Sequence, residues 1–300
     1  MSEAATAIGG VKLGSETRTR RRVWDILRPE AAVALGFLGL LVGLAIFAPW
    51  VTPYDPNRNV LIERLTPPAW GDGGTWAHPL GTDGLGRDIA TRTIYGARVS
   101  LLVGASAVLF GGGFGLLAGL LAGYFGGRVD QFFMRLGDVQ LALPFILIAL
   151  AVLAIIGPGI PNVILVLSVG QWVEYARVAR GEVLSLRERE FVLGAKVIGQ
   201  RDRNIIRKHI LPNVLPTILV LASLAVGNVI LAEASLTFLG SGVGIETASW
   251  GGMIAQARDS MSVAGWLATA PGIVLMLTIL AINIVGDWMR DVLDPRLRST

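Results

Sequence analysis

The chain has 300 residues, 53% of them hydrophobic and only 16% charged, with 26 Lys and Arg against 22 Asp and Glu. Soluble domains carry about a quarter charged residues, and the mean hydropathy here is +0.61, so a soluble globule is not expected. The absence of cysteine excludes disulfides and thiolate chemistry, and the only histidines, His78 and His209, lie too far apart in the chain to suggest a metal cluster.

Residues 1–30 are polar and basic, with Arg18, Arg20, Arg21 and Arg22, and read as a cytoplasmic tail whose Trp24, Ile26 and Leu27 lie at the membrane interface. Residues 31–51 are the first span, close to the roughly 20 residues a bilayer requires. This stretch lacks a small-residue cleavage site, so it reads as a retained anchor. Pro49 and Pro53 mark its exit, and Trp50 is an interfacial aromatic. Residues 52–98 form a long extracytoplasmic loop, irregular over 66–74 and ending in a short amphipathic helix over 86–98.

The permeating core is expected over 99–285. Its first member, the second span, covers 99–123, where Gly111, Gly115, Gly119 and Gly123 repeat every four residues. That spacing lines them along one helix face and lets a neighbouring backbone approach. Gly39 and Gly43 repeat the pattern more weakly. After a short loop over 124–135, residues 136–156 form the third span, with a kink permitted at Pro144. A tight turn over 157–161 leads to the fourth span, 162–179, with Glu174 at the interface.

A polar interlude over 188–212, within a loop spanning 181–213, separates this half from the fifth span, 214–239. It reads as two short helices. Phe191, Val192, Ala195 and Ile198 give the first an apolar side that lacks a core of its own, and Gly199 ends it. Asp202 caps the second, where Ile205, Ile206, His209 and Ile210 share a side, and Pro212 and Pro216 stop it. The fifth span carries Asn228 and Glu233; an ionisable group at that depth is a candidate lining of a pathway or gate. A second polar loop over 240–265 places Trp250 at the outer interface. The sixth span is 266–285, and 286–300 is a cytoplasmic tail in which Asp287, Arg290, Asp291, Asp294 and Arg296 form a charged cap.

Most Lys and Arg fall in the N-terminal tail, the 124–135 loop, the interlude and the C-terminal tail. Positive-inside bias puts both termini and the interlude in the cytoplasm. Basic residues placed beside apolar spans, with no single basic face, argue against nucleic acid as a partner. No Gly-rich loop ending in Gly-Lys-Ser/Thr surrounds Lys12, Lys196 or Lys208, and no catalytic constellation is visible. A secondary transporter or channel is the alternative of a different class.

The interlude resembles the E-A-A-x3-G-x9-I-x-L-P loop of ATP-binding-cassette importer permeases. Ala195, Gly199, Leu211 and Pro212 match, while Leu193 replaces the glutamate, Gly194 the first alanine and His209 the isoleucine. The stretches 78–104 (HPLGTDGLGRDIATRTIYGARVSLLVG), 233–243 (EASLTFLGSGV), 249–254 (SWGGMI) and 286–298 (GDWMRDVLDPRLR) resemble the C-type permease subunit of the peptide and nickel branch, as does Pro-Tyr-Asp-Pro at 53–56. The resemblance implies an all-α, six-span, type I importer permease in a bacterial or archaeal cytoplasmic membrane, with both termini inside. It implies a homologous second permease, two ATPase subunits or domains that carry ATP and Mg, and an extracytoplasmic solute-binding protein; this chain binds no cofactor and hydrolyses nothing. Glu190, Phe191, Val192, Leu193, Gly194, Ala195, Lys196, Ile198, Gly199, Leu211 and Pro212 are the ATPase-coupling candidates, and Asp83, Arg87 and Asp88 the candidates for docking the binding protein. The implied solute is a di- or oligopeptide, with nickel, opine, glutathione or sugar as alternatives within the branch.

Overall fold

Apolar runs in this chain fold as helices because hydrocarbon offers no partner for a free backbone N–H or C=O. The computed structural model describes residues 28–244 and 246–293. The calls on the N-terminal tail before Arg28, and on Asp294 and Arg296, lie outside these residues. Helices α1 (Pro29–Ile46) and α2 (Ala48–Val51) open the chain, followed by the 52–88 segment with a single 3-10 turn at Leu61–Glu63. Helix α3 (Ile89–Phe125) then runs for 37 residues, about 55 Å. Asp88 caps it, its Oδ2 accepting from the Thr91 N–H at 2.7 Å. Helices α4 (Gly127–Leu141), α5 (Phe145–Ile156) and α6 (Ile160–Leu186) follow. The interlude holds α7 (Glu190–Val197) and α8 (Asp202–Ile205), and α9 (Leu211–Phe238), α10 (Trp250–Ala257) and α11 (Trp266–Leu293) complete the bundle.

The glycine stripe of α3 does what its spacing predicts. A Cβ on Gly111, Gly115 or Gly119 would sit 2.5, 2.3 or 2.5 Å from the carbonyl oxygens of Ser168, Trp172 and Ala176 on α6. The two helices therefore touch backbone to backbone, which no larger residue permits. Gly39 and Gly43 of α1 have no such neighbour among the described residues. Helices α3, α6 and α9 share the main core through Val103, Ala107, Leu167, Tyr175 and Val229. A second cluster joins α1 and α11 to α3 and α9 through Leu41, Ala97, Ile230 and Leu275. Arg28 pairs with Asp291 at 3.2 Å, so the start of α1 and the end of α11 lie together, at the same end of the bundle as the interlude.

Four described helices are long and apolar enough to cross a membrane: α1, α3, the continuous stretch Asp202–Phe238, and α11; the bent pair α4–α5 makes five. Several expected boundaries move. The amphipathic helix over 86–98 is not separate, because α3 starts at Ile89 and runs on into the apolar stretch. The 124–135 loop is a single break at Gly126, whose φ of 64° ends α3. The third span is two helices meeting at 87°: Pro144 has no N–H to give and forces Leu143 out of the helical region. Pro212 does not stop a helix. Residues 206–210 form a π turn in which the Leu211 N–H reaches back five residues to the Ile206 carbonyl, so the helix passes into α9 with Pro212 in its first turn. Trp250 is not at the interface. It is fully buried, against Gly96, with its indole N–H donated to the Thr93 carbonyl at 3.0 Å.

Candidate functional site

The interlude projects from the end of α6 and returns into α9. Gly199 ends α7 with φ +76°, a value L side chains avoid. Its N–H bonds to the Lys196 carbonyl at 2.9 Å, and the next N–H, of Gln200, bonds to the Ala195 carbonyl at 3.1 Å. This paired closure reverses the chain within two residues. Asp202 does not cap the second helix through its side chain; its Oδ1 accepts instead from the Tyr124 hydroxyl at 2.6 Å.

The apolar residues of α7 divide in a way the sequence reading did not anticipate. Val192 and Ala195 point inward and join Ile205 and Ile210 in the main core, so the helix does have an anchor of its own. Ile198 does not share that side. It is 80% exposed, with Val197 at 86%, Phe191 at 47% and Leu193 at 46%. Gly194 and Gly199 have no atom within 4 Å of a would-be Cβ. Glu190 and Lys196 are exposed, Leu211 is half-buried and Pro212 exposed. The result is a short helix held from beneath with apolar side chains on top.

The loop is also tied to the end of α3. Arg187 Nη1 donates to the Gly123 carbonyl at 3.1 Å, and Lys196 Nζ stands 5.4 Å over the Tyr124 ring. His209 Nε2 lies 3.0 Å from Gln200 Oε1, with its ring 6.3 Å from that of Phe191. Helix α7 thus touches both the end of α3 and the turn leading into α9.

At the other end of α3, Asp83 and Arg87 pair at 2.7 Å. Asp88 serves a different contact, with Oδ1 3.0 Å from His78 Nδ1, while His78 Nε2 faces Glu63 Oε2 at 3.2 Å. Arg87 and Asp88 are buried and hold the segment in shape, with Arg87 on the wall of a pocket beside α10. Leu61, Ile62, Trp70 and Trp76 are exposed nearby, interspersed with exposed Glu63, Arg64 and Asp72.

Asn228 and Glu233 are not brought together. Asn228 is on the exposed side of α9. Glu233 is fully buried, accepting from Ser100 Oγ of α3 at 3.1 Å and from Thr237 Oγ1 at 2.9 Å. The Ser249 hydroxyl reaches the same carboxylate and also caps α10 through the Gly252 N–H at 3.2 Å. Glu233 thus fastens α10 to α3 and α9.

Residues 115–299 match the family described as the binding-protein-dependent transport system inner membrane component. The chain belongs to this permease family. Residues 24–68 match the N-terminal transmembrane domain of oligopeptide transport permease C, which makes the permease a C-type subunit of an ATP-binding-cassette importer, a multi-pass protein of the inner membrane. It is 42% identical over 263 residues to the di/tripeptide transport system permease protein DppC of Pseudomonas aeruginosa, covering 88% of this chain and 87% of that one. It is 38% identical over 269 residues to the dipeptide transport system permease protein DppC of Haemophilus influenzae, covering 90% and 91%. Against the glutathione transport system permease protein GsiD of Escherichia coli it is 41% identical over 269 residues, covering 90% and 87%. The family is one of transport permeases, whose partners are an ATPase and a binding protein.

Sequence reasoning missed Tyr124, Arg187, Ser100 and Ser249 as parts of these sites, and Arg92 of α3, whose Nη1 donates to the Pro56 carbonyl at 2.8 Å. Tyr124 and Asp202 are 78 residues apart, and nothing in either stretch signals the other. Arg92 did carry a signal, since a third charged residue sits in the first turn of a long apolar helix directly after Arg87 and Asp88.

Proposed function

We propose that the permease crosses the membrane six times with both termini in the cytoplasm and forms one half of a pore with a homologous second permease. Two ATPase subunits or domains bind Mg-ATP and do the hydrolysis; this chain is not an enzyme. The solute is a di- or oligopeptide, glutathione included, in keeping with what the named relatives carry. Helix α7 is the coupling element. The observation that carries this is the division of its apolar residues: Val192 and Ala195 are buried while Phe191, Leu193, Val197 and Ile198 are open. A surface of that kind in an aqueous compartment calls for a protein partner. Closure of the ATPases moves α7, and the ties of the loop around it to Tyr124 and Gly123 carry the motion into α3 as a rigid-body shift.

At the extracytoplasmic end, the binding protein docks on the rim around Ile62, Trp70 and Trp76, whose shape Asp83, Arg87 and Asp88 maintain. Asn228 lines the pathway. Glu233 acts on the outer gate by positioning α10.

The test is uptake of a labelled dipeptide by the reconstituted complex. Uptake is expected to vanish when the ATPases are omitted, and Ile198→Asp is expected to abolish uptake while ATP hydrolysis and membrane insertion persist. Undiminished uptake without the ATPases would defeat the reading.

A further inference from the structure

The turn at 83–87, the start of α3, helix α10 and the start of α11 enclose a cavity of about 270 Å³. Its polar wall is Asp83, Arg87, Arg92 and Gln256, and its apolar wall includes Leu85 and Met253. The charges on that wall do not balance. Arg87 Nε donates to Asp83 Oδ2 at 2.7 Å, and Arg92 Nε lies 3.8 Å from the same oxygen. Asp83 Oδ1 already accepts from the N–H groups of Leu85 and Arg87, at 2.8 and 3.0 Å. Two guanidiniums therefore share one carboxylate with both oxygens engaged. The next carboxylate, Asp88, is occupied by Thr91 and His78.

What remains is donor capacity without matching charge. Arg87 Nη2 is left with a neutral acceptor, Gln256 Oε1, at 2.6 Å. Arg92 is 1% exposed. Its Nη1 donates to the Pro56 carbonyl at 2.8 Å, but its Nη2 has no hydrogen-bond acceptor among the described residues. A buried guanidinium short of both charge and acceptor is unfavourable unless an anion completes it.

We propose that this cavity binds a single carboxylate on a short apolar stem, held by the guanidiniums of Arg92 and Arg87. The excess of one positive charge suits a monoanion. Charge-assisted N–H donors from two guanidiniums suit the two oxygens of a carboxylate, and the apolar wall suits a hydrocarbon stem. The volume, at the lower edge of the roughly 300–1,000 Å³ of pockets for drug-sized ligands, admits a small acid or a single side chain. The carboxylate comes from a free small acid or from an acidic side chain of the docked binding protein; the second source rests on the importer reading above.

The experiment uses the full-length chain in nanodiscs, with 4-methylpentanoate as probe and 4-methylpentanamide, its uncharged counterpart, as control. The acid is expected to raise the unfolding midpoint saturably at fixed ionic strength, and the amide to leave it unchanged. Arg92→Lys keeps the charge but loses the Nη2 donor, and is expected to weaken the acid at least tenfold. Because Arg92 also ties the 52–88 segment, a second variant guards the test. Gln256→Glu is isosteric and sets a carboxylate against Arg87; it is expected to raise the midpoint without ligand and to remove the response to the acid. Equal responses to acid and amide, or a response unaltered in both variants, would overturn the site. The source is read from docking: saturating acid that weakens binding-protein affinity tenfold or more assigns the carboxylate to that protein, and unchanged docking assigns it to a free acid. Uptake that needs no binding protein would remove the importer reading and leave the carboxylate site standing.

Discussion

At one end of α3 the interlude leaves Phe191, Leu193, Val197 and Ile198 in the open. At the other, the 52–88 segment with α10 takes His78, Arg87, Asp88, Arg92, Glu233 and Ser249 inside. Each end reverses the usual distribution, and each reversal has its own compensation. The buried charges at the second end are met by ion pairs and hydroxyls that fix loops on helices, except at Arg92, whose Nη2 has no acceptor among the described residues. The exposed apolar side chains at the first are covered by nothing among the described residues. A polar interior makes an end rigid, because breaking any one partner strands another. On the coupling proposal, the remaining contacts of the greasy exterior belong to a different molecule.

The sharpest way to break this contrast is to put the same charge on the two sides of α7. Val192→Asp places a carboxylate in the main core without a partner, at a cost of about 3–5 kcal/mol. It should unfold the interlude, read as rapid cleavage there by a protease that leaves the wild type intact. Ile198→Asp should leave the protease pattern unchanged and lose dipeptide uptake by at least tenfold. Equal protease sensitivity of the two would mean that α7 has no inner anchor. A bulky charge at Ala195 belongs with Val192, because that side chain is also buried, and would not separate coupling from folding.

At the opposite end, Glu233→Leu removes the acceptor of three hydroxyls. With each stranded group costing about 1 kcal/mol or more, the unfolding midpoint in detergent should fall by several degrees. Glu233→Gln keeps the shape and one acceptor, and should fall by less than half as much. A leucine variant as stable as wild type would show that α10 is held without the carboxylate.

How much of this was legible in the sequence differs between the two ends for a physical reason. Local features were readable. The glycine stripe over 111–123 announced a close helix–helix contact, though not its partner α6, because a four-residue repeat is a face of a helix, and Gly199 announced the end of α7 because a glycine past an apolar run is a helix stop. What depended on contacts between distant residues was not readable. The inward turn of Val192 needs Ile205 and Ile210 beneath it, and the burial of Trp250 needs the gap at Gly96. Pro144 signalled a kink, but the 87° between α4 and α5 is set by where α4 is fastened. Arg180 grips Asp130 through Nε and Nη2, Arg177 pairs with Asp138 at 2.6 Å, and Gln140 bonds to α6 at the Val169 carbonyl, 2.7 Å away.

Gly199→Ala tests the hinge of the first end with a smaller perturbation. The left-handed conformation costs an L residue about 1–2 kcal/mol, and there is open space for the methyl group, so the penalty is conformational alone. Amide exchange over 195–200 should quicken about tenfold while that of α9 is unchanged. Acceleration throughout α9 would mean that the loop and the helix unfold as one unit.

The smallest expected effect is the most informative about transmission. Tyr124→Phe removes one hydroxyl, and with it the 2.6 Å bond to Asp202, worth about 1 kcal/mol. The ring stays for Lys196 to stack on, and Asp202 is exposed and returns to water, so folding should be unaffected. If α3 is moved through this bond, uptake per ATP hydrolysed should fall about two- to threefold with the hydrolysis rate itself unchanged. The remaining tie, from Arg187 to the Gly123 carbonyl, keeps the loss partial. Tyr124→Phe combined with Arg187→Gln should lose more than the two single losses multiplied together, because each tie substitutes for the other when one is cut. A double variant no worse than that product would mean that α7 drives α3 through α9 instead.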